Sequence, residues 1–343
     1  MKLAAHLAYT AGPDQLREQL DVVQACEQYG YDSAWTAEAY GSDAGTPLAW
    51  FAGHTEKIRL GAAIFQIPGR TPANCAMTAA TIDCISNGRF ILGLGSSGPQ
   101  VAEGWHGQPF AHQIQRTREY IEIVRKALNR ERLEYDGEIY KLPLPDGPGK
   151  ALKLIIKPVQ KRIPIFLAAI GPNNTALCGE VADGWLPYLF SPEHVKQLRV
   201  PLEEGAARAG RSPSEIEVSP AVFTAIGDDI EECRNMIRPV LALYVGGMGS
   251  RKMNFYNRIV CSYGFEDAAA KVQDLFLDGK HAQAMAALPD ELIDMVSLAG
   301  TPDMVRDRLA AYKDAGVDNL LVSPMATDLE GRKHNLRLVS ELM

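Results

Sequence analysis

"RFILGLGSSGPQ", residues 89 to 100, sets Gly93, Gly95 and Gly98 in the spacing G-x-G-x-x-G directly after a short apolar run. Such a turn holds a dinucleotide's pyrophosphate when the third glycine opens a helix and an acid about 20 residues on ends the next strand. Here Gly98 is followed by Pro99, and "QVAEGWHGQPF" then carries Gly104, Gly107 and Pro109, which discourage a continuous helix. The acid at the expected distance, Glu119, lies inside the amphipathic "TREYIEIVRKAL". The stretch reads instead as a strand followed by a glycine-lined turn, where missing side chains let a flat ligand approach the backbone. Gly95, Ser96, Ser97 and Gly98 are candidate contacts for that ligand, and Pro99 is expected to stop any helix.

Outward from this turn, one punctuation pattern recurs: a helix ends at a glycine, a few residues pass, and an apolar run follows. It appears in "YGYDSAW" (29–35), "NGRFILGLG" (87–95), "DGWLPYL" (183–189) and "AGVDNLLVS" (315–323). Glycine just past a helix end tolerates the left-handed conformation that turns the chain back. The intervening helices are amphipathic, with Leu16, Leu20 and Val23 on one face of the first and Thr117, Ile121, Val124 and Leu128 on a later one. Strands are expected at about 2–8, 33–37, 58–65, 90–94, 164–169, 184–187, 216–226 and 318–323. Eight such units imply an α/β fold of the (β/α)8 TIM-barrel type in one domain spanning 1–343, with a doubly wound sheet as the alternative. Insertions after strands 4 and 7, at about 130–163 and 245–300, are expected to add lids or substrate walls, the first as a hairpin-like excursion built from "LEYDGEIYKL" and "ALKLIIKP".

Of the 343 residues, 46% are hydrophobic and 22% charged, and the net charge is −7. Without a basic cluster, nucleic acid is not expected as a partner. Without a signal-like start or a run of about 18 apolar residues, the protein is expected to be soluble and cytoplasmic, with no membrane partner. The six cysteines form no C-x-x-C and read as small buried hydrophobes. No metal-ligand spacing is present, so no metal is expected.

Candidate ionisable groups follow from the barrel reading, because active sites form at the C-terminal ends of the strands. Glu38 ends the second strand in "AWTAEAY" and ranks first. His106 and Glu103 follow the glycine turn, and His6 sits in the first strand. Trp105, Tyr9 and Tyr40 are placed to offer flat surface. Gly171 and Pro172 follow the fifth strand, with proline suited to the first helical position and free N–H groups behind it suited to phosphate.

"SAWTAEAYGSDAGTPLAWFA", "IRLGAAIFQIPGRTP", "NGRFILGLGSSGPQVAEGWHG", "IPIFLAAIGPNNTALCGEVADGW" and "AGTPDMVRDRLAAYKDAGVDNLLV" together resemble the bacterial luciferase-like family. Within it they resemble the branch that uses the deazaflavin coenzyme F420 and includes methylenetetrahydromethanopterin reductase. The resemblance implies a bulged third strand that meets the deazaflavin through a non-proline cis peptide at Ala63–Ile64, beside Gln66. It also implies a coenzyme phosphate near Ala168, Ala169, Gly171 and Asn173, and Glu38 beside the cofactor. Many relatives carry an Asp-His pair where this chain has Glu38-Ala39, which points to a different substrate.

Hydride transfer between coenzyme F420 and a C=C, C=N or C=O group of a small organic substrate is therefore the expected activity. The alternatives are an FMN-dependent luciferase-like monooxygenase and a catalytically silent flavin-binding barrel. A homodimer is expected.

Overall fold

The computed structural model describes residues 1–9 and 12–343. Its eight main strands are β1 (Lys2–Leu7), β2 (Ser33–Thr36), β3 (Arg59–Ala62, resuming as Phe65–Gln66), β4 (Phe90–Gly95), β5 (Ile165–Ala168), β6 (Gly184–Leu186), β7 (Glu217–Val218 and Ala221–Ile226) and β8 (Asn319–Pro324). Every pairing among them is parallel, in the order β6-β5-β4-β3-β2-β1-β8-β7. The first piece of β7 pairs with β6, Glu217 opposite Gly184, and the barrel closes there. The alternation of helices and apolar runs had this outcome because parallel neighbours need a crossover, and here a helix supplies each one.

Two apolar layers hold the barrel. Inside it, Ala4, Trp35, Ile91, Phe166, Leu186 and Leu321 pack together, with the Trp35 and Phe166 rings 5.4 Å apart. Outside it, the helices lay their stripes on the strands: Val23, Thr117, Ile121 and Val124 are buried as their spacing requires. Gly30, Gly88 and Gly316 adopt the left-handed conformation expected after a helix. Gly184 does not. It opens β6, and a Cβ there would run into the Phe166 ring, so its small size serves the barrel interior rather than a turn.

The insertions differ from expectation in a way that bears on function. Helix Gln113–Leu128 completes the β4 unit, so residues 130–163 lie between that helix and β5 rather than above a strand's C-terminal end. The short hairpin Tyr135–Asp136 with Lys141–Leu142 lies along this helix, where Glu119 accepts from the backbone N–H groups of Glu138, Ile139 and Tyr140. The first insertion is thus external cladding and no lid, and "ALKLIIKP" forms no strand. The second insertion is helical, with helices Phe255–Ser262, Glu266–Leu277, His281–Ala286 and Asp290–Val296. It ends in an added strand, Ser297–Gly300, paired with β7. It has its own apolar cluster, which includes Phe223 of β7 and Val245, Val260, Val272 and Leu292. Cys26, Cys75, Cys178 and Cys233 are buried, while Cys84 and Cys261 are half-buried, and all six are free thiols. Among the described residues no helix is long and apolar enough to cross a membrane.

Candidate active site

At the C-terminal mouth of the barrel, β3 breaks at Ala63–Ile64, and the peptide bond between them is cis. Gly61 pairs with Ile91 and Phe65 with Leu94, so β3 carries one residue more than β4 across the break, which is a bulge. The neighbouring glycines explain how the bulge fits. A Cβ on Gly93 would lie far inside contact distance of the Ala62 carbonyl oxygen, and one on Gly95 would collide with the Ile64 side chain. The glycine spacing of β4 therefore makes room for the adjacent strand. Gly95, expected as an open ligand platform, has its bare side filled by Ile64.

His6 stands on β1 beside this bulge. Its Nδ1 lies 2.8 Å from the Ser323 hydroxyl of β8, and its ring also hydrogen-bonds the Ala63 backbone. Burial lowers its pKa from 6.5 to about 4, against the opposing pull of the Ala63 bond. The imidazole is neutral at physiological pH and is a hydrogen-bonding group rather than a ready cation.

Glu38 is the hub of the same side of the mouth. Its carboxylate accepts from the N–H groups of Ala44 and Gln66, each at 2.9 Å, and forms a two-pronged ion pair with Arg70. Both side chains are largely buried, 7% exposed for Glu38 and 15% for Arg70. A carboxylate gripped by four donors is a positioning group, because giving a proton to substrate would first require displacing those donors. From this hub Gln66 extends the network. Its amide nitrogen reaches the Glu38 carbonyl and the Ser97 hydroxyl, both at 3.2 Å, and its amide oxygen accepts from His106 Nε2 at 2.8 Å. Glu38, Gln66, Ser97 and His106 are thus brought together, and Arg70, which lies in the quoted "IRLGAAIFQIPGRTP", joins them although the sequence reading passed over it.

Other expected residues lie elsewhere or act differently. Ser96 and Ser97 directly follow β4, and Ser97 is left-handed. Pro99 does not stop a helix: Gly98 caps, and Pro99 starts, the short helix Pro99–Ala102. Glu103 is exposed and accepts from the Phe110 N–H at 3.0 Å, holding its own loop at the rim. Ala168 ends β5, its methyl facing the Gly95 position. Ala169 is buried, its carbonyl taken by the Trp185 indole N–H at 2.9 Å. Gly171 precedes helix Pro172–Val181 with no side chain capping it, and Asn173 is exposed in the first turn, leaving that helix start open.

The opposite side of the mouth is aromatic. Tyr188 follows β6, Phe223 is on β7, and Tyr244 and Tyr256 come from the second insertion. The Tyr188 ring lies 4.6 Å from Tyr244 and 5.7 Å from both Tyr256 and Phe223. Tyr9 and Tyr40 stand on the rim with rings 6.1 Å apart. Sequence reasoning found Tyr9 and Tyr40 but missed Tyr188, Tyr244 and Tyr256, whose positions in the chain show no shared spacing. Trp105 is 65% exposed and contributes to no such cluster.

The family model for luciferase-like monooxygenases matches residues 2–319. The chain belongs to this family. It is 43% identical over 330 residues to a Mycobacterium tuberculosis protein named as a candidate coenzyme F420-dependent oxidoreductase, covering 94% of this chain and 95% of that one. It is 29% identical to the 5,10-methylenetetrahydromethanopterin reductase of Archaeoglobus fulgidus, with 96% of each chain covered. The solved coenzyme F420-dependent tetrahydromethanopterin reductase of Methanopyrus kandleri superposes with a TM-score of 0.85 at 25% identity, covering 99% of this chain and 97% of that one. Its relatives are oxidoreductases and monooxygenases, and this member of the luciferase-like family is an oxidoreductase.

Proposed function

We propose that the protein binds the deazaflavin coenzyme F420 and transfers a hydride between it and a C=C, C=N or C=O group of a small organic molecule. The observation that carries this reading is the bulge at Ala63–Ile64, flanked by Ser96, Ser97 and Ala168 and close in the fold to the uncapped helix start after Gly171. Small side chains and exposed backbone suit a flat ring, and free N–H groups at a helix N-terminus suit a phosphate. Ala63, Ile64, Gln66, Ser96 and Ser97 would meet the ring system, while Gly171 and Asn173 would meet the phosphate. When bound, the coenzyme supplies the hydride at C5.

The chain's own residues have distinct tasks. Glu38 and Arg70 fix Gln66, and Gln66 in turn fixes Ser97 and His106, so the surface under the ring is rigid before the ring arrives. Neutral His6 ties the bulge to β8 through Ser323. FMN presents a ring of the same flatness, so the binding test carries both cofactors. Fluorescence titration of the purified protein with F420 and with FMN is expected to show tight binding of F420. Binding of FMN alone, with oxygen-dependent turnover, would replace this reading with a monooxygenase.

Met77 and Ile85 are exposed on helix Pro72–Ile85, and the segment tied to the end of that helix by the Cys84–Lys157 hydrogen bond exposes Ile155 and Val159. We propose a homodimer contact through these apolar side chains, which light scattering on the protein and on a Met77→Glu, Ile155→Glu variant tests directly.

A further inference from the structure

His106 ends the chain of contacts that starts at the Glu38–Arg70 pair, and that chain decides which of its ring nitrogens carries a proton. The Gln66 amide nitrogen donates to the Glu38 carbonyl oxygen and to the Ser97 hydroxyl oxygen, both at 3.2 Å. A carbonyl oxygen only accepts, so the Gln66 carboxamide cannot be turned round, and its own oxygen faces His106 Nε2 at 2.8 Å. That oxygen also only accepts. His106 Nε2 therefore bears the hydrogen, and in the neutral ring Nδ1 holds a lone pair. Among the described residues Nδ1 has no protein partner, and the side chain is half-buried. Backbone closes the opposite edge of the ring: a Cβ on Gly69 would lie 3.1 Å from Cε1 and 3.4 Å from Nε2.

The loop that carries the ring is closed on itself. The His106 N–H donates to the Val101 carbonyl at 3.0 Å, the Gln108 N–H to the Ala102 carbonyl at 2.8 Å, and the Phe110 N–H to Glu103 at 3.0 Å. Side chain and backbone are thus held separately, and the ring group left over is a basic nitrogen one carboxamide away from Ser97.

The other acids and bases on this side are differently placed. Both Glu38 oxygens are held by Arg70 and by the N–H groups of Ala44 and Gln66. His6 is bonded to Ser323 and to the Ala63 backbone. Asp43 accepts from the Thr46 N–H at 2.8 Å and is 49% exposed. Glu103 is exposed, so its carboxylate stands in water. His106 alone among them joins an unpartnered titratable atom to the buried hub.

Resting on the hydride-transfer reading above, we propose that His106 exchanges the proton of that reaction with the substrate through Nδ1, that Gln66 is the residue that positions it, and that the substrate is a carbonyl or imine rather than an alkene. A nitrogen aligned by hydrogen bonding serves a heteroatom, which can accept such a bond before the proton moves, whereas an alkene carbon cannot.

In the reducing direction a hydride adds to the electrophilic carbon, and the C=O or C=N π pair moves to the heteroatom. The Nδ1–H bond of the imidazolium breaks, and its proton forms the new O–H or N–H bond. The substrate gains two electrons, and the reduced deazaflavin that gives the hydride is oxidised by two. The neutral imidazole left behind keeps its Nε2–H on Gln66, and water returns a proton to Nδ1. In the oxidising direction the same lone pair takes the proton.

The first test needs no cofactor. Protein labelled with 15N-histidine is examined by NMR at about pH 8.5, where an ordinary imidazole is neutral, with the His106 signals assigned by their loss in His106→Gln. The proton is expected on Nε2, protected from exchange with water, and that protection is expected to vanish in Gln66→Leu. A neutral ring protonated at Nδ1 overturns the proposal. Diethyl pyrocarbonate, which acylates open imidazole nitrogens, is expected to modify His106 equally with and without F420. Full protection by F420 would make His106 a cofactor contact and overturn its substrate role. With reduced F420 and a panel of aldehydes, ketones and cyclic imines, His106→Gln is expected to lower kcat about a hundredfold while F420 affinity and circular dichroism match wild type. An unchanged kcat overturns the proposal, and a wild-type protein that binds F420 yet reduces none of the panel overturns the substrate class. If the protein does not bind F420 but the NMR result holds, the cofactor reading falls while the Gln66–His106 arrangement stands.

Discussion

The two sides of the barrel mouth are made by different means. On the side of β3, β4 and β5, shape comes from the backbone: a bulge, two glycines that admit it, and a carboxylate hub that ties three loops together. On the side of β6, β7, β1 and β2, shape comes from large side chains brought in by separate segments. A surface made of backbone has no slack, since adding one carbon to Gly93 meets a neighbouring carbonyl rather than a rotatable group. A surface made of rings can exchange a hydroxyl for a hydrogen and keep its volume. The first side is therefore suited, on the proposed function, to a flat rigid partner, and the second tolerates changes of side chain without loss of shape.

The harshest way to break this contrast is Gly93→Ala. The new methyl would overlap the Ala62 carbonyl oxygen, and both strands would have to move apart at the bulge. A loss of more than about 4 kcal/mol in urea unfolding is expected, together with loss of F420 binding. Wild-type stability with normal binding would mean that the β3 side is not rigid.

Arg70→Met sharpens the same contrast by removing one partner of a buried pair. Glu38 would be left with two N–H donors and no countercharge, at a cost of about 3–5 kcal/mol. Adding Glu38→Gln removes the stranded charge, so the double variant is expected to regain part of the loss. A double-mutant cycle reads the coupling, and additivity would show that the two side chains do not act together.

His6 stands where the two sides meet, and its effect is one of pH. Its folded-state pKa is depressed to about 4 from 6.5, so the unfolded chain binds the proton first as pH falls. Stability attributable to His6 is constant above about pH 7 and declines from pH 6.5 to pH 4, by at most about 3 kcal/mol. His6→Gln is expected to flatten that part of the profile relative to wild type. Equal slopes for the two proteins between pH 6.5 and 4 would mean that the imidazole is not held neutral.

How much of this was legible in the sequence differs between the two sides for a physical reason. The barrel followed from the alternation of helices and apolar runs, which reports the period of each element directly. On the β3 side, Glu38, Ser97 and His106 could be named because each follows a strand whose position the pattern gives, whereas Gln66 came only with the family resemblance. The role of Gly93 and Gly95 could not, since the bulge they admit lies on another strand and leaves no mark in the spacing of β4. Arg70 was missed because an arginine in a loop gives no sign of the buried carboxylate it will meet. Tyr188, Tyr244 and Tyr256 were missed because they come from a loop, a π turn and a helix that only the folded second insertion brings together. The first insertion misled for the opposite reason. It was expected to follow the C-terminal end of strand 4, where loops form lids, but it follows helix Gln113–Leu128, which puts it outside the barrel.

The smallest expected effect lies at Glu103, the candidate acid that follows the glycine turn. It is exposed, and its carboxylate accepts from the Phe110 N–H of its own loop. A Glu103→Gln side chain keeps an oxygen able to accept the same bond, so stability is expected to stay within about 0.5 kcal/mol of wild type. Turnover should be equally unaffected, because a rim carboxylate turned to water and to its own loop stands apart from the bulge. The variant nevertheless probes the division of labour most sharply. An unchanged kcat and pH profile in Glu103→Gln would leave the rim acid outside the reaction. A tenfold fall in kcat with unchanged F420 affinity would instead give this exposed acid a part in the reaction, which its place on the loop does not suggest.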